Sequence, residues 1–182
     1  NKSKVYGDVN PTLTIAYSGF IANDDESVID TASLVSTEAT QSSDVGDYAI
    51  TLTGGSDNNY TLTTISGTLS VSKAPLNVSV ADTNKIFGDP NPDFILQYTG
   101  FKLTDNTSDI DIPPAIATDA DTLSDAGTYR LVASGGADNN YDFIQYDEGM
   151  LTVEKPPLIV RADEKLKRYG EALPELTLSF EG

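Results

Sequence analysis

Lys4-Val5-Tyr6-Gly7-Asp8 returns as Lys85-Ile86-Phe87-Gly88-Asp89, and again as Lys167-Arg168-Tyr169-Gly170-Glu171. Gly7 to Gly88 is 81 residues; Gly88 to Gly170 is 82. Four residues after each glycine stands a proline: Pro11, Pro92, Pro174. Twelve after it stands a second glycine (Gly19, Gly100, Gly182), with an aromatic two places before (Tyr17, Tyr98, Phe180). The same offsets in three places mark a tandem array, which overrides a domain count taken from length.

Working outward, Asp44-Val45-Gly46-Asp47-Tyr48 matches Asp125-Ala126-Gly127-Thr128-Tyr129. Gly54-Gly55-Ser56-Asp57-Asn58-Asn59-Tyr60 matches Gly135-Gly136-Ala137-Asp138-Asn139-Asn140-Tyr141. Gly67-Thr68-Leu69-Ser70-Val71 matches Gly149-Met150-Leu151-Thr152-Val153, and Pro75-Leu76-Asn77-Val78 matches Pro157-Leu158-Ile159-Val160. The array therefore divides into repeat one (residues 1–74, lacking its first strand), a complete repeat two (75–156) and the start of repeat three (157–182). The chain is read as starting and ending inside repeats.

This ordered set of motifs resembles the MBG domain family of the YGX type, over essentially the whole chain. The resemblance implies a tandem module of large bacterial surface proteins, adhesin-like or haemagglutinin-like, and so an extracellular setting at the bacterial cell surface or secreted. It brings no catalytic residues with it.

Leu76-Asn77-Val78-Ser79-Val80 alternates apolar and polar, the pattern of a half-buried strand. Residues 93–99, 129–133, 142–146 and 150–153 read as further strands, the last two as a closing hairpin. Repeat one follows with 13–17, 48–53, 60–65 and 68–71. Asn23-Asp24-Asp25-Glu26-Ser27-Val28-Ile29-Asp30 and Thr104-Asp105-Asn106-Thr107-Ser108-Asp109-Ile110 each look like a capped helix start with acids in the first turn, the second stopping before Pro113-Pro114. The expected fold is β-rich α+β: tandem small β-grasp-like modules, each with one short helix. The alternative is a series of all-β immunoglobulin-like sandwiches, favoured by D-x-G-x-Y, which resembles a tyrosine corner. The proline-stiffened links at Lys73-Ala74-Pro75 and Glu154-Lys155-Pro156-Pro157 predict an elongated rod with a repeating angle between repeats. Because repeat one lacks its opening strand and repeat three contributes one, a head-to-tail exchange of strands between copies is expected.

Eleven Lys+Arg against 28 Asp+Glu give a net charge of −17. Such a surface repels phosphate backbones and anionic membranes, so neither nucleic acid nor membrane insertion is expected. Without His or Cys, serine–histidine and cysteine–histidine catalysis and N/S zinc sites are excluded. No signal peptide and no apolar run of about 18 residues is present. Paired carboxylates are plentiful, but none is marked out for glycoside chemistry. No catalytic, cofactor-binding or metal residue is expected, and the chain is read as not an enzyme. Calcium is the one cation with an argument: Asp24-Asp25-Glu26, then Asp105 with Asp109 and Asp111, then Asp119 with Asp121, supply oxygens without an EF-hand spacing. The expected role is a stalk or spacer whose partners are adjacent repeats. The alternative is that the modules bind host glycan or surface protein. Phe143, Tyr146 and Pro113-Pro114 are then the candidates, because repeat one carries Leu62, Ile65 and residues around Leu34 there. Tyr48, Tyr129, Tyr60 and Tyr141 are expected to pack rather than bind.

Overall fold

The computed structural model describes residues 1–181; Gly182, the third glycine of the repeat frame, lies outside the described residues. In repeat one, β1 (Lys2–Val5), β2 (Leu34–Thr37), β3 (Gly46–Thr53) and β4 (Gly67–Ser72) form one sheet in the order β1-β4-β3-β2. β3 pairs antiparallel with both β2 and β4, while β1 runs parallel to β4, Lys2 opposite Leu69. Leu69 is completely buried and clusters with Ile50 and Ala39, with Leu13, Val35 and Tyr48 packed around them.

Repeat two contributes β5 (Ala74–Val80), β6 (Thr83–Ile86), β7 (Leu96–Thr99), β8 (Ala115–Ala117), β9 (Gly127–Ser134), β10 (Tyr141–Asp147) and β11 (Gly149–Glu154). One sheet has the order β10-β5-β7 and the other β6-β11-β9-β8. The second reproduces the repeat-one sheet: its first strand again lies parallel to the last, and the last antiparallel to the one before it. Alternation in β5 is complete, with Ala74, Leu76, Val78 and Val80 buried on one face. Repeat three contributes β12 (Ile159–Ala162) and β13 (Leu178–Glu181), paired antiparallel. By contacts the chain divides into two compact units. The first holds Asn1–Ser79, Leu96–Ala115 and Ala133–Asp147; the second holds Val80–Ile95, Ile116–Val132 and the residues from Glu148 on.

Three expectations change. The short helices are single three-residue 3₁₀ turns, Glu26–Val28 and Thr107–Asp109, capped by Asp25 and Asn106. The caps lie two residues further on than the start of each stretch, and each turn ends at once: the next residue, Ile29 or Ile110, is already extended. Among the described residues helix is limited to these turns, so the β-rich chain fits the all-β alternative better than the β-grasp one. No helix among them is long and apolar enough to cross a membrane. The closing hairpin is the second change. β10 pairs in parallel with β5, and β11 antiparallel with β9, so the chain passes from one sheet to another at Glu148 instead of turning back on itself. Third, residues 13–17 and 60–65 of repeat one are not strands, although their counterparts in repeat two are β7 and β10.

Candidate functional site

The K-x-Y-G-D motif begins as an edge strand and places its alternate side chains inward, so Lys4 and Tyr6 are both buried. A buried ammonium needs acceptors. Lys4 Nζ donates to the carbonyls of Asp8 (3.1 Å), Thr40 (2.5 Å) and Gln41 (3.3 Å), tying the motif's own turn to the loop before β3. Burial pushes its pKa down, and Asp8 opposes the shift. Lys85 repeats this on the carbonyls of Asp89 and Asp121. Asn10 and Asn91, before the prolines, donate to Ala39 and Ala120 in the same two loops. Sequence reading missed this role for Lys and Asn. The signal was there: a lysine recurring in phase two residues before an aromatic.

Gly7 has φ +79, and a Cβ there would lie 2.4 Å from Lys102 Cβ; glycine is required both by conformation and by contact. Lys102 Nζ in turn pairs with Asp8 at 3.0 Å. Beside them Tyr6 Oη donates to Asp105 Oδ2 at 3.0 Å, and Tyr141 Oη donates to the same oxygen at 2.6 Å. The Tyr6 and Tyr141 rings meet edge to face at 5.6 Å, and Phe101 meets Tyr141 likewise at 5.5 Å. Burial, then the hydrogen bond to Asp105, pushes the Tyr6 hydroxyl up to about 12; the same causes raise Tyr141 further. Asn140 accepts from Val45 N–H and donates to Asp44, while Lys73 Nζ donates to the Asp138 carbonyl. All these residues lie in the first compact unit, and they bind repeat one to repeat two around a core of Tyr6, Val71, Ala74, Leu76, Ile110 and Tyr141.

Of the residues considered for calcium, Asp105, Asp109 and Asp111 sit in this neighbourhood, and each accepts from a protein donor. Asp109 caps the Asn106 N–H, Asp111 accepts from Asn139 N–H, and Asp138 accepts from Asn140 and Tyr141 N–H. Asp24 accepts from Tyr60 Oη and Asp25 from Ser27, which holds the Asp25 carboxyl below its usual value. Asp121 caps Leu123, and Asp119 is exposed. Among the described residues no group of three or more such side chains converges as a metal shell.

Tyr141 is buried in the core and Tyr48 packs against it, as expected, whereas Tyr60 lines a groove. Tyr48 Oη donates to Asp44 O at 2.9 Å and Tyr129 Oη to Asp125 O at 2.8 Å, closing tyrosine corners in both repeats. Of the candidates for ligand binding, Phe143 packs against the core and Tyr146 donates to Gly135 O at 2.5 Å. Pro114 is buried against Gly136, whose Cβ would approach it within 2.9 Å, and Pro113 is exposed.

A second feature lies in repeat one. Ile15, Tyr17 and Phe20 on one side and Tyr60, Leu62 and Ile65 on the other line a groove of about 410 Å³. Tyr17 Oη is buried there without a hydrogen-bond partner.

Neither curated proteins nor solved structures offer a match to the chain. The family model for the MBG domain (YGX type) matches residues 1–70 and 76–152. What recurs between those two stretches is a buried lysine, a tyrosine corner and a tyrosine–aspartate pair, all architectural, and the chain belongs to the MBG domain family of the YGX type.

Proposed function

We propose that this chain is a non-catalytic structural repeat, a stalk or spacer in a bacterial surface adhesin-like protein, working outside the cell. The observation that carries this reading is the web joining Tyr6, Asp105 and Tyr141, with Asn140 on Val45 and Asp44. Side chains that recur at the repeat interval serve the module's own turns or its contact with the next module. Such an arrangement suits serial extension, where each joint must resist bending. The test is a binding screen of the chain against glycans and matrix proteins, run beside force spectroscopy. A spacer gives no saturable binding and an unfolding force that falls in Asp105→Ala.

The second reading, direct binding of host glycan or protein, draws on one observation. Tyr98, Phe101, Phe143 and Tyr146 form a chain of rings with centroids 5.7 to 6.4 Å apart, and repeat one has Leu62 and Ile65 where repeat two has Phe143 and Tyr146. Saturable binding lost in Tyr146→Ala would favour it over the spacer.

A further inference from the structure

Three parallel ladders each join a strand from the start of a repeat to a strand from its end. β1 lies beside β4, from Lys2 opposite Leu69 to Val5 opposite Ser72. β5 lies beside β10, from Ala74 opposite Tyr141 to Ser79 opposite Asp147. β6 lies beside β11, from Thr83 opposite Leu151 to Ile86 opposite Glu154. The first and the third stand at the same place in repeats one and two, and each puts the earlier strand at the edge of its four-stranded sheet. Strand direction decides what tension does to such a ladder. A stretched chain is pulled toward its N-terminus at the start of a repeat and toward its C-terminus at the end. In a parallel pair these pulls act at opposite ends of the ladder and slide one strand along the other, so its evenly spaced bonds share the load. In an antiparallel pair they would act at the same end and open the bonds one after another.

Both repeats reinforce the pair that must slide. The ladder runs on by one bond past its strands, Tyr6 N–H to Ser72 O at 2.8 Å and Phe87 N–H to Glu154 O at 2.9 Å. The edge strand is pinned by its buried lysine as well. Lys4 Nζ donates to the Thr40 and Gln41 carbonyls in the loop before β3, and Lys85 Nζ donates to the Asp121 carbonyl in the loop before β9. In repeat two Asn84 Nδ2 also donates to Glu154 Oε1 across the ladder at 2.9 Å. The partner strand is held in the core by Leu69 or Leu151, both completely buried, so the edge strand is the one that slides.

We propose that these ladders are a mechanical clamp: tension along the chain loads them in shear, and a repeat yields when its edge strand slides off the strand that ends the repeat. The proposal deepens the stalk reading and rests on it for its purpose, since it names where a spacer bears load. It also gives the recurring lysine a task, because Lys4 and Lys85 sit on the sliding strand and fasten it to a loop outside the ladder. Forced unfolding is governed by the barrier to opening. The clamp therefore shows in the direction of pulling, which equilibrium stability does not register.

The test is single-molecule pulling of the whole chain along two axes. The sequence has no cysteine, so an introduced pair defines each axis. Thr83→Cys with Lys155→Cys pulls β6 and β11 from opposite ends of their ladder, and Thr83→Cys with Met150→Cys pulls them from the same end. At one loading rate the first pair is expected to rupture at a force higher by about twofold or more, because its paired positions resist together rather than in turn. Lys85→Met is expected to lower the force along the first axis. Equal forces along the two axes, or a first-axis force unmoved by Lys85→Met, would overturn the clamp. The contrast between axes needs no change at Lys85, so it stands even where that variant does not fold. Saturable binding of glycan or matrix protein would count against the stalk reading and leave the two forces as they are.

Discussion

Residues 94–101 and 141–147 of repeat two and residues 13–20 and 60–66 of repeat one stand at the same places in the repeat and share Tyr-x-Gly-Phe and the Tyr that follows Asn-Asn, while most of their other residues differ. In repeat two they flank β5 and include β7 and β10; in repeat one they form no strand and border an open groove. What the repeat-two stretches share is pairing with β5. A strand is completed by its neighbour's hydrogen bonds and by the side chains stacked on the same face. Where β5 is present, Tyr141 is buried at 3% exposure and Phe101, Tyr98 and Phe143 close over it. Where no such strand lies, Tyr60 holds only its local bonds, to Asp24 and to the Ile21 N–H, and its ring meets Phe20 alone at the edge.

The largest effect that would break this comparison is in the central strand itself. Leu76→Ala empties a fully buried site and should cost about 2–5 kcal/mol in chemical denaturation. Leu158→Ala, at the matching but exposed position, should change stability by less than about 0.5 kcal/mol in dilute solution. Equal losses at the two sites would mean that Leu158 is already buried in the isolated chain. Next in size is the acceptor of the joint. Asp105→Ala leaves the Tyr6 and Tyr141 hydroxyls without their shared partner, at about 1–3 kcal/mol for each buried donor. Asp24→Ala at the equivalent place in repeat one affects one exposed hydroxyl and should cost a small fraction of that. Thermal melts of the two variants side by side make the measurement.

How far the chain was legible follows from which features are local. The Gly7 and Gly88 turns, the tyrosine corners of Tyr48 and Tyr129, and the alternation of β5 are set by residues near in sequence, and each could be read there. A capped helix start was read in both stretches, but the caps fall at Asp25 and Asn106, inside the stretches rather than at their first residues, and the helix was extended too far. Ile29 and Ile110 turn extended immediately after, and Ile110 is drawn into the core with Tyr141. The parallel pairing of β10 with β5 could not be read, because Tyr146 and Val78 are far apart in the chain and nothing in either strand names the other. The joint was legible only as a repeating phase. That Tyr6 would share Asp105 with Tyr141 depends on two repeats meeting, and no motif inside one repeat records it.

Smaller effects sharpen the contrast at the two glycines. Gly19→Ala incurs the left-handed strain alone, about 1–2 kcal/mol. Gly100→Ala incurs the same strain and also drives its Cβ against Pro75 O, so it should cost more by a clear margin in the same denaturation assay.

The smallest effect is in the response to alkali. Tyr6 titrates near 12 in the folded chain against an ordinary value near 10, because burial and then the Asp105 hydrogen bond favour its neutral form; Tyr141 is raised for the same reasons. A raised folded value means that the folded chain keeps a proton the unfolded chain has lost. The stabilisation is therefore complete below about pH 10 and falls away as pH rises from there through the folded value. Tyr60 is raised too, chiefly by its hydrogen bond to Asp24, with burial a lesser cause. An ultraviolet titration of the phenols should show late ionisation that Tyr6→Phe reduces by one step, and the same variant should flatten the stability loss between about pH 10 and 12. If Tyr6 ionised together with the exposed tyrosines, the joint would be open to water in solution, and the contrast between a closed repeat two and an open repeat one would lose its clearest chemical marker.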